Sequence, residues 1–399
     1  MAFDVARIRG LFPALGDGWV HLDGTVGMQV PEQVATAVST ALRAPVSAPG
    51  GIFPASQRAE AIVAAARRAV ADLVGADPAG VVLGPNAPVL LGRLAEALST
   101  NWMLGDEVVC SRLDEQLNIA PWQVAAQRVG ANVRWGEIDI ETCELPSWQY
   151  DRLVTERTKV VAVTAASGSV GTRPDLSTIA DAAHRVGAML VVDASFAAPF
   201  MPLDIDELGA DVLALSAQGW GGPTLGALVF ADPRAIDRLP GYALAAEASG
   251  PERLEVGPHA HPALAGLVAS VDYLAELDDV ASGSRRERLL TSLNSARAYH
   301  SGLLGELLSE LRMLPHVQLI GDAMRRIPVL AFTIARRKAG DVVEHLARRG
   351  LCAFADDTPT GVFGTLGVGE VGGAVRVGFA HYTNATEVTR LVDALAELR

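Results

Sequence analysis

The chain has 399 residues, half of them hydrophobic, and a formal net charge of −13. That length can bury a core large enough for about two or three domains, and an acidic chain without a Lys/Arg run lacks the basic footprint that grips nucleic acid. No apolar stretch approaches the roughly 20 residues of a membrane span, Met1 to Phe12 mix Asp4, Arg7 and Arg9 into what would have to be an apolar leader, and Cys110, Cys143 and Cys352 fit neither a disulfide framework nor a metal site. A cytoplasmic protein with reduced thiols and no membrane or nucleic-acid partner is expected.

Along the chain, apolar runs alternate with helical patterns, the signature of a mostly parallel α/β sheet covered on both faces. The first clear helix is Gln57–Val74, with Ile62, Ala66, Val70 and Leu73 on one stripe and Arg58, Arg67, Arg68 and Asp72 opposite. The clearest strands are Val81–Leu83, Glu107–Ser111, Val160–Thr164, Met189–Asp193, Val212–Ser216 and Leu225–Phe230. After Asp278 the texture changes. A charged segment, Ser282 to Arg288, leads into a helix running to about Arg312. The apolar runs Ile327–Ile334 and Ala374–Ala380 then bracket a helix from Ala339 to Arg349. A final helix carries Val388, Leu391, Val392, Leu395 and Leu398 on one face and opens with Asn384 and Glu387, a capping box. This second part predicts a smaller α+β domain.

In an open α/β sheet, ligands sit beyond the carboxyl ends of the strands. Asp193 ends an otherwise apolar strand there, and a buried carboxylate needs a partner or a cationic ligand. Capping or a salt bridge would explain it equally well. The surrounding motifs decide between the two: His21-Leu22-Asp23, Leu104-Gly105-Asp106-Glu107-Val108, Asn118-Ile119-Ala120-Pro121-Trp122, Asp193, Ser216-Ala217-Gln218-Gly219-Trp220-Gly221-Gly222-Pro223, Glu255-Val256-Gly257, and Arg376 with Tyr382-Thr383-Asn384. In this order and spacing, from about Trp19 onward, the chain resembles the class V aminotransferases and cysteine desulfurases. The resemblance implies the pyridoxal phosphate (PLP) transferase fold of type I. It divides the chain into an N-terminal segment, 1–20, packed near the small domain, a large domain over 21–280, and a small C-terminal α+β domain over 281–399. It also implies a homodimer with active sites at the subunit boundary.

Residue by residue, the resemblance puts Asp193 against the pyridine nitrogen, Asn118, Ser216 and Gln218 near the cofactor, and Arg376 on a substrate carboxylate, which suits the planar guanidinium. Several family positions are changed. Gly219 stands at the Schiff-base lysine, and the only lysines are Lys159, at the amino end of a strand, and Lys338, in the small domain. The phosphate-gripping hydroxyl pair reads Asn86-Ala87-Pro88. Ala87 and Pro88 remove hydroxyls and Pro88 also an N–H, so that Asn86 reads as a helix cap. Pro258 replaces a phosphate-binding threonine. Glu115 replaces the stacking histidine, and Phe196 and Phe200 replace a glutamine and a histidine; these aromatics could fill the emptied cofactor volume with apolar contacts, and whether they and Trp220 occupy that space is left to the structure. The region Ala355 to Gly367, where a desulfurase carries its nucleophilic cysteine, has none, and Cys352 reads as a packed thiol. The expectation is a pseudoenzyme that binds no PLP covalently and acts through binding or assembly. The alternatives are a transaminase or C–S lyase with non-covalently held PLP or its amine form, and a binder of a small carboxylate or amino acid.

Overall fold

The computed structural model describes residues 3–240 and 248–398. Its strands are β1 (Val20–His21), β2 (Val81–Gly84), β3 (Glu107–Ser111), β4 (Asn132–Gly136), β5 (Thr158–Thr164), β6 (Met189–Asp193), β7 (Val212–Ser216), β8 (Gly226–Phe230), β9 (Val317–Ile320), β10 (Val329–Ile334), β11 (Leu351–Cys352), β12 (Phe354–Asp356) and β13 (Ala374–Gly378). Seven of them form a sheet in the order β2-β8-β7-β6-β5-β3-β4. β8 runs antiparallel to both neighbours, and the other pairs are parallel.

The near-continuous apolar runs follow from burial on both sheet faces. In β6, Leu190 and Val192 enter one buried cluster while Val191 enters another on the opposite face, as the two-residue period of a strand requires. β4 escapes the sequence reading because it is an edge strand, and Asn132 and Arg134 break its apolar run. Lys159 lies within β5, one residue after its start, and not at the opening of a strand beginning at Val160. The first long helix begins at Pro54 instead of Gln57, since proline at a first helical position loses no hydrogen bond, and it ends at Gly75 with φ +72°.

The second sheet, β12-β13-β10-β9, is antiparallel, and β1 pairs in parallel with β11 beside it. The helix Arg285–Arg312 joins the two parts: Leu289, Leu293 and Ala296 belong to the core of the large sheet, whereas Leu303, Leu304, Leu307 and Leu311 belong to that of the small one. The N-terminal segment reaches across. Arg9 donates to the Tyr382 carbonyl at 2.6 Å and to Glu387 at 2.7 Å, and Phe3 stacks on Tyr299. Among the described residues no helix is long and apolar enough to cross a membrane, and no cluster of His, Cys, Asp and Glu could hold a metal ion.

Candidate functional site

A cavity of about 330 Å³ opens at the carboxyl ends of the parallel strands. β6 delivers Asp193 and β7 delivers Ser216, and the turns after them supply Ser195, Phe196, Gln218 and Gly219. The helix Ala87–Ser99 adds Ala87, Pro88 and Leu91, and β13 of the small domain adds Arg376. The loop Gly24–Gly27 closes one side. A Cβ at Gly24 would collide with the carbonyl of Phe379, so only glycine lets this loop lie against the small domain. Met28 ties the other end by donating its N–H to the Gln218 carbonyl at 3.3 Å. Thr25 lines the cavity with a buried hydroxyl that has no hydrogen-bond partner.

Asp193 is buried and accepts the Ser195 N–H at 3.0 Å. Burial pushes its carboxyl above the usual range, against the pull of the Ser195 hydrogen bonds. No Lys, Arg or His among the described residues forms an ion pair with it. Arg376 has a side chain only 13% exposed, yet its nearest acidic atoms, Glu115 Oε1 and Asp356 Oδ2, both stand at 3.9 Å, and its Nε has no partner. Glu115 spends its better contact on Ser169, whose hydroxyl donates at 2.7 Å. Burial raises the Glu115 carboxyl, Ser169 and Arg376 pull it down, and Asp356 and Asp193 push it up again. One guanidinium thus faces two carboxylates without a close contact to either.

The expected site residues do not all converge. Asn118 does not line the cavity: its amide donates to Asp114 Oδ1 at 2.5 Å, in the turn just before the helix Gln116–Val129. Asn86 is the helix cap its sequence context indicated: its side chain accepts the Val89 N–H at 2.9 Å. Leu90 bonds back to the Asn86 carbonyl at 3.3 Å and Pro88 has no N–H, so this first turn offers fewer free donors than an uncapped helix end. Phe196 and Phe200 line the cavity without filling it. Phe196 packs where a Cβ of Gly168 would sit, 2.5 Å from its ring, and Phe200 packs edge-on against His300 and His381. Trp220 points away and donates to Ser270 at 3.0 Å. The space beside Asp193 is therefore open.

Neither lysine reaches the cavity. Lys159 pairs with Asp106 at 3.5 Å, and Lys338 precedes the helix Ala339–Ala347. A Cβ at Gly219 would stand 2.9 Å from the Ser195 carbonyl oxygen. The sequence reading missed Asp114, Thr25 and Asp356. Asp114 accepts from both Ser111 and Asn118, and burial raises its carboxyl to about 7 against those bonds. Asp114 lies in the turn before the helix that carries Asn118, so helical spacing gave no signal for it. Asp356 had none, because β12 is three residues long and meets Arg376 only through strand pairing.

Residues 20–391 match the family model for class V aminotransferases. The chain is 51% identical over 398 residues to an uncharacterized protein of Mycobacterium tuberculosis, covering 100% of both. It is 28% identical to a probable cysteine desulfurase of Streptomyces coelicolor, over 99% of this chain and 97% of that one. The crystal structure of the Escherichia coli cysteine desulfurase CsdA superposes with a TM-score of 0.85 at 25% identity, over 100% of this chain and 98% of that one. The fold is that of type I PLP-dependent transferases, and the chain belongs to the class V aminotransferase family.

Proposed function

We propose that this protein is a class V aminotransferase homologue that forms no Schiff base with PLP, Gly219 standing where the family's lysine would be, and that it works by binding. The observation that carries this reading is that no lysine lines the cavity beside Asp193 and Arg376. Without that amine the internal aldimine cannot form and no lysine moves protons. The cavity's other residues also suit PLP poorly. The helix mouth at Asn86–Pro88 has lost the N–H at Pro88 and has the Val89 N–H taken by the Asn86 cap, donors a phosphate would use, and Glu115 brings a carboxylate to the same space.

The retained groups favour a small amino acid or carboxylate as ligand. Arg376 keeps a buried, unpartnered Nε, suited to a carboxylate fork, and Asp193 is a buried acid suited to an ammonium or another N–H donor. The assembly is a homodimer, as in the family resemblance, and acts in the cytoplasm. Support for the dimer comes from the exposed apolar residues Leu42, Ile52, Phe53 and Val256, with Ile52 95% exposed, around a groove of about 690 Å³ between residues 41–49 and 257–262.

Titration with PLP tests the first claim. No aldimine band that borohydride fixes to a cavity residue is expected; such a fixed adduct, or exchange of an amino acid's α-proton by the unreduced protein with PLP, overturns it. Calorimetry with amino and keto acids tests the second: binding lost in Arg376→Ala supports the ligand class, and binding unchanged in that variant removes it. Sedimentation tests the third, with Ile52→Asp expected to shift a dimer toward monomer.

A further inference from the structure

The cavity of Asp193 and Arg376 carries a charge imbalance. Two carboxylates, Asp193 and Glu115, line it, and among the described residues Arg376 is the one cation that does so. Asp193 reaches the cavity from β6 of the large sheet and Arg376 from β13 of the small one, so a molecule that touches both spans the two parts. Glu115 stands at the N-cap of the helix Gln116–Val129, yet its side chain makes no capping bond. Its Oε1 takes the Ser169 hydroxyl and the long contact to Arg376, and its Oε2 has no partner among the described residues. The helix N-terminus beside it favours the ionised form. Asp356, 3.9 Å from Arg376 and outside the lining, adds to the negative side.

Thr25 is a second, independent sign of a missing ligand. It is 1% exposed, lines the cavity, and its hydroxyl has no hydrogen-bond partner, a state that costs free energy until a donor or acceptor arrives. Burial raises the carboxyls of Glu115 and Asp193, as it does for acids without a cation close enough to offset it. Two carboxylates and one guanidinium give the lining a formal charge of minus one. A carboxylate or dicarboxylate ligand deepens that excess, and an ordinary zwitterionic amino acid leaves it in place. A molecule with one carboxylate and two ammonium groups cancels it, which matters because an unpaired buried charge is costly. Leu91, Phe196, Pro199 and Phe200 supply apolar surface for the methylenes of such a molecule. The cavity volume of about 330 Å³ lies at the small end of the range for small-molecule sites.

We propose that the cavity selects a diamino carboxylic acid, with Glu115 and Asp193 as the residues that determine this specificity. The proposal rests on the reading that Arg376 takes a carboxylate. With the α-carboxylate on Arg376, the α-ammonium falls beside Glu115, whose Oε1 is 3.9 Å from that guanidinium. The chain then follows the apolar surface and brings the distal ammonium to Asp193. Thr25 offers the ligand one further hydrogen bond.

The test is calorimetry of the full-length protein with ornithine, norvaline and glutamate, which share a five-carbon chain and end in an ammonium, no charge and a carboxylate. Ornithine is expected to bind about tenfold more tightly than norvaline, the worth of one charge-assisted contact, and glutamate to bind most weakly. Asp193→Asn is expected to cut the preference for ornithine over norvaline about tenfold. Glu115→Gln is expected to weaken ornithine and to strengthen valerate, the same chain without an amine. Norvaline or glutamate binding as tightly as ornithine, with affinity lost in Arg376→Ala, overturns the diamino acid and leaves the carboxylate reading standing. A preference for ornithine that survives Asp193→Asn, or ornithine affinity unchanged in Glu115→Gln, also overturns the proposal. Binding by none of the four compounds, or ornithine affinity unchanged in Arg376→Ala, removes the carboxylate reading with it.

Discussion

Glu255 and Glu115 are both carboxylates drawn from the family motifs and both are largely out of solvent, but they are treated in opposite ways. Glu255 accepts two bonds from Arg67 at 2.8 Å each, the Leu83 N–H at 2.7 Å and a ring nitrogen of His259 at 3.1 Å. Burial alone would raise its carboxyl, yet His259 and Arg67 hold it below the usual range. Glu115 has one hydroxyl and an arginine at 3.9 Å, and burial holds it above that range. A saturated carboxylate pins the scaffold: Glu255 fastens the start of β2 to the long helix Pro54–Val74. An unsaturated one beside an open cavity leaves bonding capacity for something else. Glu255 has thus kept its full set of polar bonds, while Arg376 and Thr25 in the cavity still have polar atoms without partners.

The largest effect that would break this contrast is at Glu255. Glu255→Ala leaves Arg67 half-buried without its partner and is expected to cost about 3–5 kcal/mol in urea unfolding; a loss below about 1 kcal/mol would show that the pin carries little. Next is Gly219→Ala, where the added methyl group meets the Ser195 carbonyl at 2.9 Å. A loss of about 1–2 kcal/mol by the same measurement is expected.

A smaller effect lies in pH dependence. Burial raises the Asp114 carboxyl to about 7, so its contribution to stability is complete at acid pH, below its unfolded value, and is lost as pH rises through about 7. Asp114→Asn is expected to flatten the fall in Tm between roughly pH 5 and pH 8. A parallel profile would mean that Asp193, the neighbouring buried acid, dominates instead. The smallest change is Glu115→Gln, expected within about 0.5 kcal/mol of the parent because its ion pair is long and weak. Its use is to sharpen the contrast, since freeing Arg376 from a competing carboxylate should raise its affinity for carboxylate ligands severalfold in calorimetry.

Much of this was legible where the physics is local. Asp193 could be read because an apolar parallel strand ends at the ligand face of its sheet. The Asn86 cap could be read because the bond runs from its side chain to an N–H three residues on. The Asp114–Asn118 bond was not read, because Asp114 lies in the turn before the helix that carries Asn118. Whether Phe196 and Phe200 fill the cofactor space could not be read from the sequence. Both rings turn into packing sites, over Gly168 and against His300 and His381, that no linear pattern reveals.

The sequence by itself determined the alternation of strands and helices, the family motifs, the scarcity of lysine and the capped helix mouth, because each rests on side chains acting within a few residues or on plain composition. Only the tertiary structure decided that the cavity stays open beside Asp193 and that Arg376 stands between Glu115 and Asp356. These residues are far apart in the chain and come together through strand pairing and domain contact, whose geometry depends on the whole packed core.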